Sequence, residues 1–211
     1  KAYIGAFKMK TLTSADFRDF FLQWCEAQEV DASGVDWEAW LTLPGMPVVS
    51  KSFPDPLGAS GTRLAERWLA EYSAADSSFA ASDYEGMDTK IKIHFLETLL
   101  ARSLAADVPP MTLAALDKMD KLYGLTASKN AELRVRWQRL CIRHRAAFIV
   151  PHALEFVVEV GRMKFVRPIY RELGEWPEMR AKAVETFQAN RSIYHPIASK
   201  VLANNDLKLT E

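Results

Sequence analysis

The sequence has few of the residues that usually mark a chemical site. Its 211 residues include two cysteines and four histidines. Cys25 and Cys141 lie far apart in the chain, each within a helical pattern, which is neither a disulfide framework nor a zinc-binding spacing. We therefore expect two buried, reduced thiols in a cytoplasmic protein.

An excess of charge of one sign is also missing. Lys plus Arg and Asp plus Glu both total 27, so the formal net charge is zero. A nucleic-acid-binding domain needs a net basic surface, which this balance does not provide. No apolar run reaches the length of a bilayer-spanning helix. We predict no nucleic-acid partner and no membrane partner, so any electrostatic function must be local.

Familiar catalytic motifs do not occur. The sequence contains no His-Glu-x-x-His, no Gly-rich phosphate loop, no Gly-x-Ser-x-Gly and no Cys-x-x-Cys. His94 with Glu97 and His152 with Glu155 have i, i+3 spacing, but their order is the reverse of the Glu-x-x-His of di-iron bundles. We predict no metal in this chain and no self-contained active site.

What the chain does contain is helical periodicity, without a period-2 alternation long enough for a strand. The short connectors imply antiparallel neighbours, and about eight consecutive helices after residue 57 suggest a stacked double layer. We predict an all-α fold of stacked antiparallel helices, an armadillo/HEAT-like superhelix, with an irregular helical bundle as the alternative. Before residue 44 the predicted helices are 13–28 and one capped by Asp36. The next four are one bearing Leu64 to Tyr72, one starting near Asp88, one opened by Pro109-Pro110 and ended by Gly124, and one capped by Ser128 or Asn130. The last four are 148–160, which Gly161 closes, 168–173, 177–188 and 196–202.

A proline-rich stretch interrupts this pattern. Pro44, Pro47, Pro54 and Pro56 leave no room for a helix and favour an extended connector. We place a domain boundary here, with residues 1–43 before it, 44–57 as the linker and 58–211 as a helical domain. Pro44 to Pro47 also has the form of a ligand for proline-recognising modules, although a plain linker is the favoured interpretation.

Three cations surround a predicted helix start. Arg162, Lys164 and Arg167 oppose the positive end of the helix macrodipole unless an anion lies among them. One interpretation is pairing with acidic neighbours such as Glu155, Glu159 or Glu172, and the other is a functional anion site. The densest basic run, Arg134, Arg136, Arg139, Arg143 and Arg145, is interpreted as a solvated or ion-paired helix face.

Four segments carry a family resemblance. Together they resemble the C-terminal part of the leukotriene A(4) hydrolase and aminopeptidase B branch of the zinc aminopeptidases, over essentially the whole chain. The segments are Val35 to Leu41 running into Pro44 to Pro47, Leu133 to Ile142, Gly161 to Tyr170, and His195 to Ala198.

The resemblance implies a fold, a partner and a site. Residues 1–43 would be the tail of a thermolysin-like catalytic domain, which precedes this chain and holds the zinc and the catalytic motifs. A chain that starts without Met is then expected to be a piece of a longer protein, not catalytic alone. The arginine and lysine that bind the substrate carboxylate in this family match Arg162 and Lys164, and Arg167 is expected to pair with an acidic neighbour. The implied substrates are short peptides or a fatty-acid epoxide. The rival hypothesis is a freestanding α-solenoid that binds a protein partner.

Overall fold

Local capping signals place most helix starts where the sequence predicts them. The computed structural model describes residues 1–46, 48, 56–71, 78–106, 108 and 110–209, with Glu71 described by its backbone alone. Thr13 and Asp16 form a reciprocal capping box, and the side chains of Asp36 and Asp88 accept backbone N–H bonds at two further helix starts. The predicted caps at Thr13 and Asp36 and the predicted start near Asp88 are confirmed.

The chain divides into two units, Lys1–Pro54 and Asp55–Glu211. In the first unit, edge-on aromatic rings join three helices. Tyr3 meets Phe17 at 5.6 Å between ring centroids, and Phe21 meets Trp37 at 5.5 Å. The helices are α1 (Ala2–Phe7), α2 (Ser14–Ala27) and α3 (Trp37–Leu41). The sequence patterns had not predicted α1.

The second unit is a helical stack, in which every described residue outside the helices lies in a turn or loop. Its helices are α4 (Ala59–Glu71), α5 (Ser82–Glu85), α6 (Thr89–Arg102), α7 (Leu113–Tyr123), α8 (Ala131–Arg143), α9 (Val150–Glu159), α10 (Met163–Gly174), α11 (Pro177–Ala189) and α12 (Pro196–Val201). Single turns of 3-10 helix at Ala147–Ile149 and Arg191–Ile193, and a π-helical turn at Leu202–Asp206, complete it.

Alternate helices pack on one another in a row. Helix α4 packs on α6, α6 on α8 and α8 on α10, whereas α9 contacts α8, α10 and α11 from a second layer. This alternation is typical of two-layer helical solenoids and confirms the all-α, stacked prediction over the irregular bundle. One continuous apolar core runs through the unit from Leu64 to Leu207.

Three large aromatic side chains of this core donate hydrogen bonds to other elements. The Trp68 indole donates to the Tyr123 hydroxyl at 3.0 Å, and the Trp137 indole donates to Thr126 at 2.8 Å. Tyr194 donates to the carbonyl of Val157 at 2.7 Å. Such bonds add little net free energy, but leaving a buried donor unpaired costs about 1–3 kcal/mol, so they select one packing arrangement.

Several helix boundaries differ from the prediction. Helix α10 begins at Met163, so Pro168 lies inside it rather than at its start. The missing N–H of Pro168 costs one intrahelical bond, but a buried stripe that includes Phe165, Ile169 and Leu173 outweighs that cost. Helix α7 begins at Leu113 and is capped by Thr112, so Pro110 lies outside it.

Other boundary predictions are confirmed. Gly124 ends α7 in the left-handed conformation with φ of 61°, and Asn130 rather than Ser128 caps α8. Predictions that rest on Pro47, Pro54, Tyr72 or Pro109 lie outside the described residues. Cys25 and Cys141 are both free and buried, as expected.

Candidate functional site

The cationic stretch surrounds a helix start, as predicted, but the start of α10 is at Met163 and not at Pro168. Arg162 is the N-cap residue, with an extended backbone and no side-chain capping bond, and the first turn contains no acidic residue. The positive end of the helix dipole therefore adds to the charges of Arg162 and Lys164. The start of α10 carries no negative charge of its own.

Arg162 and Lys164 converge on one aromatic ring. The Arg162 guanidinium lies 5.4 Å from the ring centroid of buried Phe165, and the Lys164 ammonium lies 4.7 Å from the same centroid. Both distances are within the range of cation–π attraction. Phe165 is anchored in the core against Phe156, at 6.0 Å between ring centroids. Both cations thus contact the same anchored ring.

The two cations differ in how they are neutralised. The Lys164 ammonium donates a hydrogen bond to a carboxylate oxygen of Glu132, at the first turn of α8. Arg162 is exposed and forms no ion pair or hydrogen bond with any side chain in the described parts of the chain. Arg162 therefore presents an open guanidinium, whose fork of donors matches a carboxylate.

Glu132 belongs to a wider network. Its second oxygen accepts from Arg136 at 2.8 Å, and Arg136 also donates to Glu97 of α6. The pKa of Glu132 is lowered, first by the hydrogen bond from Lys164 and then by the one from Arg136. Glu132 is consequently ionised at neutral pH.

Arg167 has a different environment. Its guanidinium donates to Asp206 in the π-helical turn at 2.8 Å, and Arg171 donates to the same carboxylate at 2.7 Å. The expectation that Arg167 pairs with an acidic residue is confirmed. The Arg167–Asp206 ion pair ties the π-helical turn to α10. Arg167 therefore does not join Arg162 and Lys164 in the candidate site.

The acidic partners proposed from sequence neighbourhood were wrong. Glu159 pairs with Arg134 at 2.7 Å, and Glu172 pairs with Arg139 at 2.9 Å. No ion pair that involves Glu155 is present in the described residues. The actual partners, Glu132 and Asp206, lie on elements 32 and 39 residues away in sequence from the cations they bind.

The arginine run of α8 is an ion-paired face, as interpreted from the sequence. Four of its arginines bind carboxylates on neighbouring helices or on α8 itself. Arg145 instead donates to the carbonyl of Glu175 and lies over the Trp176 ring. The four arginines that bind carboxylates are Arg134, Arg136, Arg139 and Arg143.

The side chains of the His94/Glu97 pair serve other contacts. The ring Nε2 of His94 hydrogen-bonds Thr62 at 2.8 Å, and Glu97 binds Arg136. Within the described ranges, no group of three or more His, Cys, Asp or Glu side chains could hold a metal ion. None of the helices that these residues form is long and apolar enough to cross a membrane.

Sequence reasoning missed Glu132 and the anchoring role of Phe165. The i, i+4 spacing of Glu132 and Arg136 was a readable signal for their own pair. No local signal connected Glu132 to Lys164, because that contact depends on the packing of α8 beside α10.

Fold and site together define a two-layer helical domain that presents an arginine–lysine pair at one helix start. Residues 87–206 match the family described as "Leukotriene A4 hydrolase, C-terminal". The chain belongs to this family, which confirms the resemblance inferred from its motifs.

Individual relatives match almost the whole chain. It is 32% identical to leukotriene A-4 hydrolase of Xenopus laevis over 205 residues, which are 97% of this chain and 33% of that protein. It is 30% identical to leucine aminopeptidase 2 of Neurospora crassa, covering 99% of this chain and 30% of the relative. The chain thus spans about a third of the length of these relatives.

Solved structures agree with the sequence matches. The fold is similar to yeast leukotriene A4 hydrolase in complex with bestatin, with a TM-score of 0.86 and 29% identity. That match covers 99% of this chain and 35% of the yeast chain. The native yeast enzyme gives a TM-score of 0.83.

Proposed function

We propose that this chain is the C-terminal helical domain of a zinc aminopeptidase of the leukotriene A4 hydrolase type. In this role it closes the active-site cleft and anchors the carboxylate of short peptide substrates. Arg162 binds the carboxylate, and Lys164 assists from the same ring. A fatty-acid epoxide presents the same carboxylate chemistry and is the second substrate class within this proposal.

The observation that carries the proposal is the open guanidinium of Arg162. It lies at a helix start without an acidic residue, while nearby Lys164 and Arg167 are bound to carboxylates. A guanidinium in this setting can clasp a carboxylate through two parallel hydrogen bonds. Binding energy gained at this remote end of a substrate positions its scissile bond in the other domain.

The preceding catalytic domain is the proposed partner. The relatives are about three times as long as the matched region, which leaves room for such a domain before it. Trp24 and Trp40 in the first unit keep 41% and 48% of their surface exposed, an apolar area that a preceding domain would cover. We assign the zinc and the peptide-bond chemistry to that domain, in a cytoplasmic enzyme.

The test is substitution of Arg162 in the intact protein that carries this domain. Arg162→Ala should lower kcat/KM for tripeptides at least about 30-fold, because loss of a charged contact costs about 2–5 kcal/mol. The same substitution should have little effect on tripeptides with a C-terminal amide, which lack the carboxylate. Arg63→Ala, at an exposed position on α4, is the matched control.

Activity of Arg162→Ala within about twofold of the unsubstituted enzyme would contradict the proposal. An equal loss on acid and amide substrates would also contradict it, because the effect would then not depend on the carboxylate.

A further inference from the structure

The aromatic ring of Phe165 contacts both cations of the proposed carboxylate site. Phe165 is only 4% exposed, whereas Arg162 and Lys164 are both exposed. Its ring centroid lies 5.4 Å from the Arg162 guanidinium carbon and 4.7 Å from the Lys164 ammonium nitrogen. One buried side chain is therefore in contact with both charged groups that the proposed function uses.

The ring of Phe165 has a fixed position in the second unit. It packs against the ring of Phe156 on α9, which is fully buried, and the Arg134 guanidinium lies 4.7 Å from the centroid of Phe156. The backbone amide of Phe165 donates to the carbonyl of Arg162 at 2.9 Å. Core packing thus holds the ring, and this backbone bond holds the Arg162 main chain beside it.

The two cations depend on this ring to different extents. The Lys164 ammonium is also bound to Glu132, so it keeps a partner if the ring is removed. Among the residues that the structure describes, Arg162 has no carboxylate partner, and its charge is in contact with Phe165 alone. An exposed arginine samples many rotamers, and binding a ligand requires that this freedom be lost. Phe165 therefore restricts Arg162 more than it restricts Lys164.

A cation–π contact leaves the donors of a guanidinium available. The attraction is between the positive charge and the negative face of the ring, and it uses no N–H group. A carboxylate partner would instead occupy those donors, as Glu132 does with Lys164. Contact with a ring can thus hold Arg162 in place while its fork of donors stays open to a substrate.

We propose that Phe165 is a positioning residue for Arg162. The ring holds the guanidinium in the orientation that binds the substrate carboxylate, so part of the binding cost is met before the substrate arrives. Phe165 touches Arg162 and not the substrate. The inference rests on the proposed function, because it concerns the same carboxylate site.

The experiment uses the intact enzyme, one tripeptide and the C-terminal amide of the same tripeptide. The measured quantity is the ratio of kcat/KM for the acid to kcat/KM for the amide. Because both values come from one preparation, the ratio does not depend on the folded fraction.

Phe165→Leu keeps an apolar side chain in the core but removes the aromatic face. It should lower the acid/amide ratio about fivefold, the size expected for loss of one cation–π contact. Phe165→Tyr retains the aromatic face and should leave the ratio within about twofold of the original value.

The matched control is Phe156→Leu, which removes the neighbouring buried ring. The charged group over Phe156 is Arg134 rather than either cation of the site, so the ratio should stay within about twofold. The double variant Arg162→Ala/Phe165→Leu tests the route of the effect. If Phe165 acts through Arg162, its substitution should change the ratio less than about twofold once Arg162 is absent.

The outcomes separate this inference from the proposed function. If Arg162→Ala lowers the acid/amide ratio while Phe165→Leu leaves it within about twofold, Phe165 only packs the core and the anchor stands. An equal decrease from Phe156→Leu or from Phe165→Tyr would also overturn the inference, because general loosening of the packing would explain it. A full decrease that persists without Arg162 would exclude action through that residue. If Arg162→Ala leaves the ratio unchanged, the proposed function itself fails.

Discussion

The guanidinium of Arg167 donates a 2.8 Å hydrogen bond to Asp206, whose side chain is completely buried. Arg171 binds the other oxygen of the same carboxylate at 2.7 Å. The two arginines keep 33% and 47% of their side-chain surface exposed. One buried carboxylate thus fastens the π-helical turn Leu202–Asp206 to α10, the helix that begins at Arg162.

Asp206→Asn should destabilise the protein by about 2–3 kcal/mol. Breaking a buried ion pair costs about 3–5 kcal/mol, and partial exposure of the two arginines reduces this because they can reach water. Urea denaturation followed by circular dichroism measures the change. Asp117→Asn, which breaks an exposed i, i+4 pair with Lys121, is the control and should cost under about 0.5 kcal/mol. Equal losses in the two variants would show that burial of Asp206 is unimportant.

Gly61→Ala should also destabilise the second unit. A Cβ at Gly61 would lie 2.9 Å from the backbone oxygen of Ile91, so α4 and α6 would have to separate. Overpacking of this kind costs about 1–3 kcal/mol. Gly86→Ala is the matched substitution, because its added Cβ meets nothing within 4 Å and its φ of −74° suits alanine. That variant should be neutral or slightly stabilised. A thermal melt in which Gly61→Ala unfolds at the original temperature would refute the close-packing account.

His144 should make stability fall in mild acid. Burial lowers its pKa, with nearby Arg143 as the second cause, so the unfolded chain binds this proton more readily than the folded protein does. The contribution of neutral His144 to the unfolding free energy is fully present above the ordinary histidine pKa of about 6.5. It is lost as the pH falls below that value, at up to about 1.4 kcal/mol per pH unit.

The measurement is the unfolding free energy from pH 8 to pH 5, compared between variants so that other titrating groups cancel. His144→Gln should show a shallower decrease than the unsubstituted protein. His152→Gln, at an exposed side chain, is the control for a His-to-Gln substitution outside the core. Parallel curves for all three proteins would mean that His144 does not titrate differently in the folded state.

Local chemistry made most of the fold predictable. The caps at Thr13 and Asp36 and the helix start near Asp88 were readable because capping bonds reach only two or three residues along the chain. The left-handed Gly124 was predictable for the same reason. The helix start predicted at Pro168 was wrong, because the rule that proline belongs near a helix start ignores the burial of neighbouring residues. Burial of those neighbours extends α10 back to Met163.

The candidate site was only half predictable. The sequence by itself determined the helical fold, the family and the cations Arg162 and Lys164, since these depend on periodicity and on motifs that are contiguous in the chain. Only the tertiary structure decided that Glu132 neutralises Lys164, that Asp206 binds Arg167, and that Arg162 has no acidic partner among the residues it describes. Ion pairing depends on distances of a few ångströms between helices that are far apart in sequence, and the packing of α8 beside α10 sets those distances.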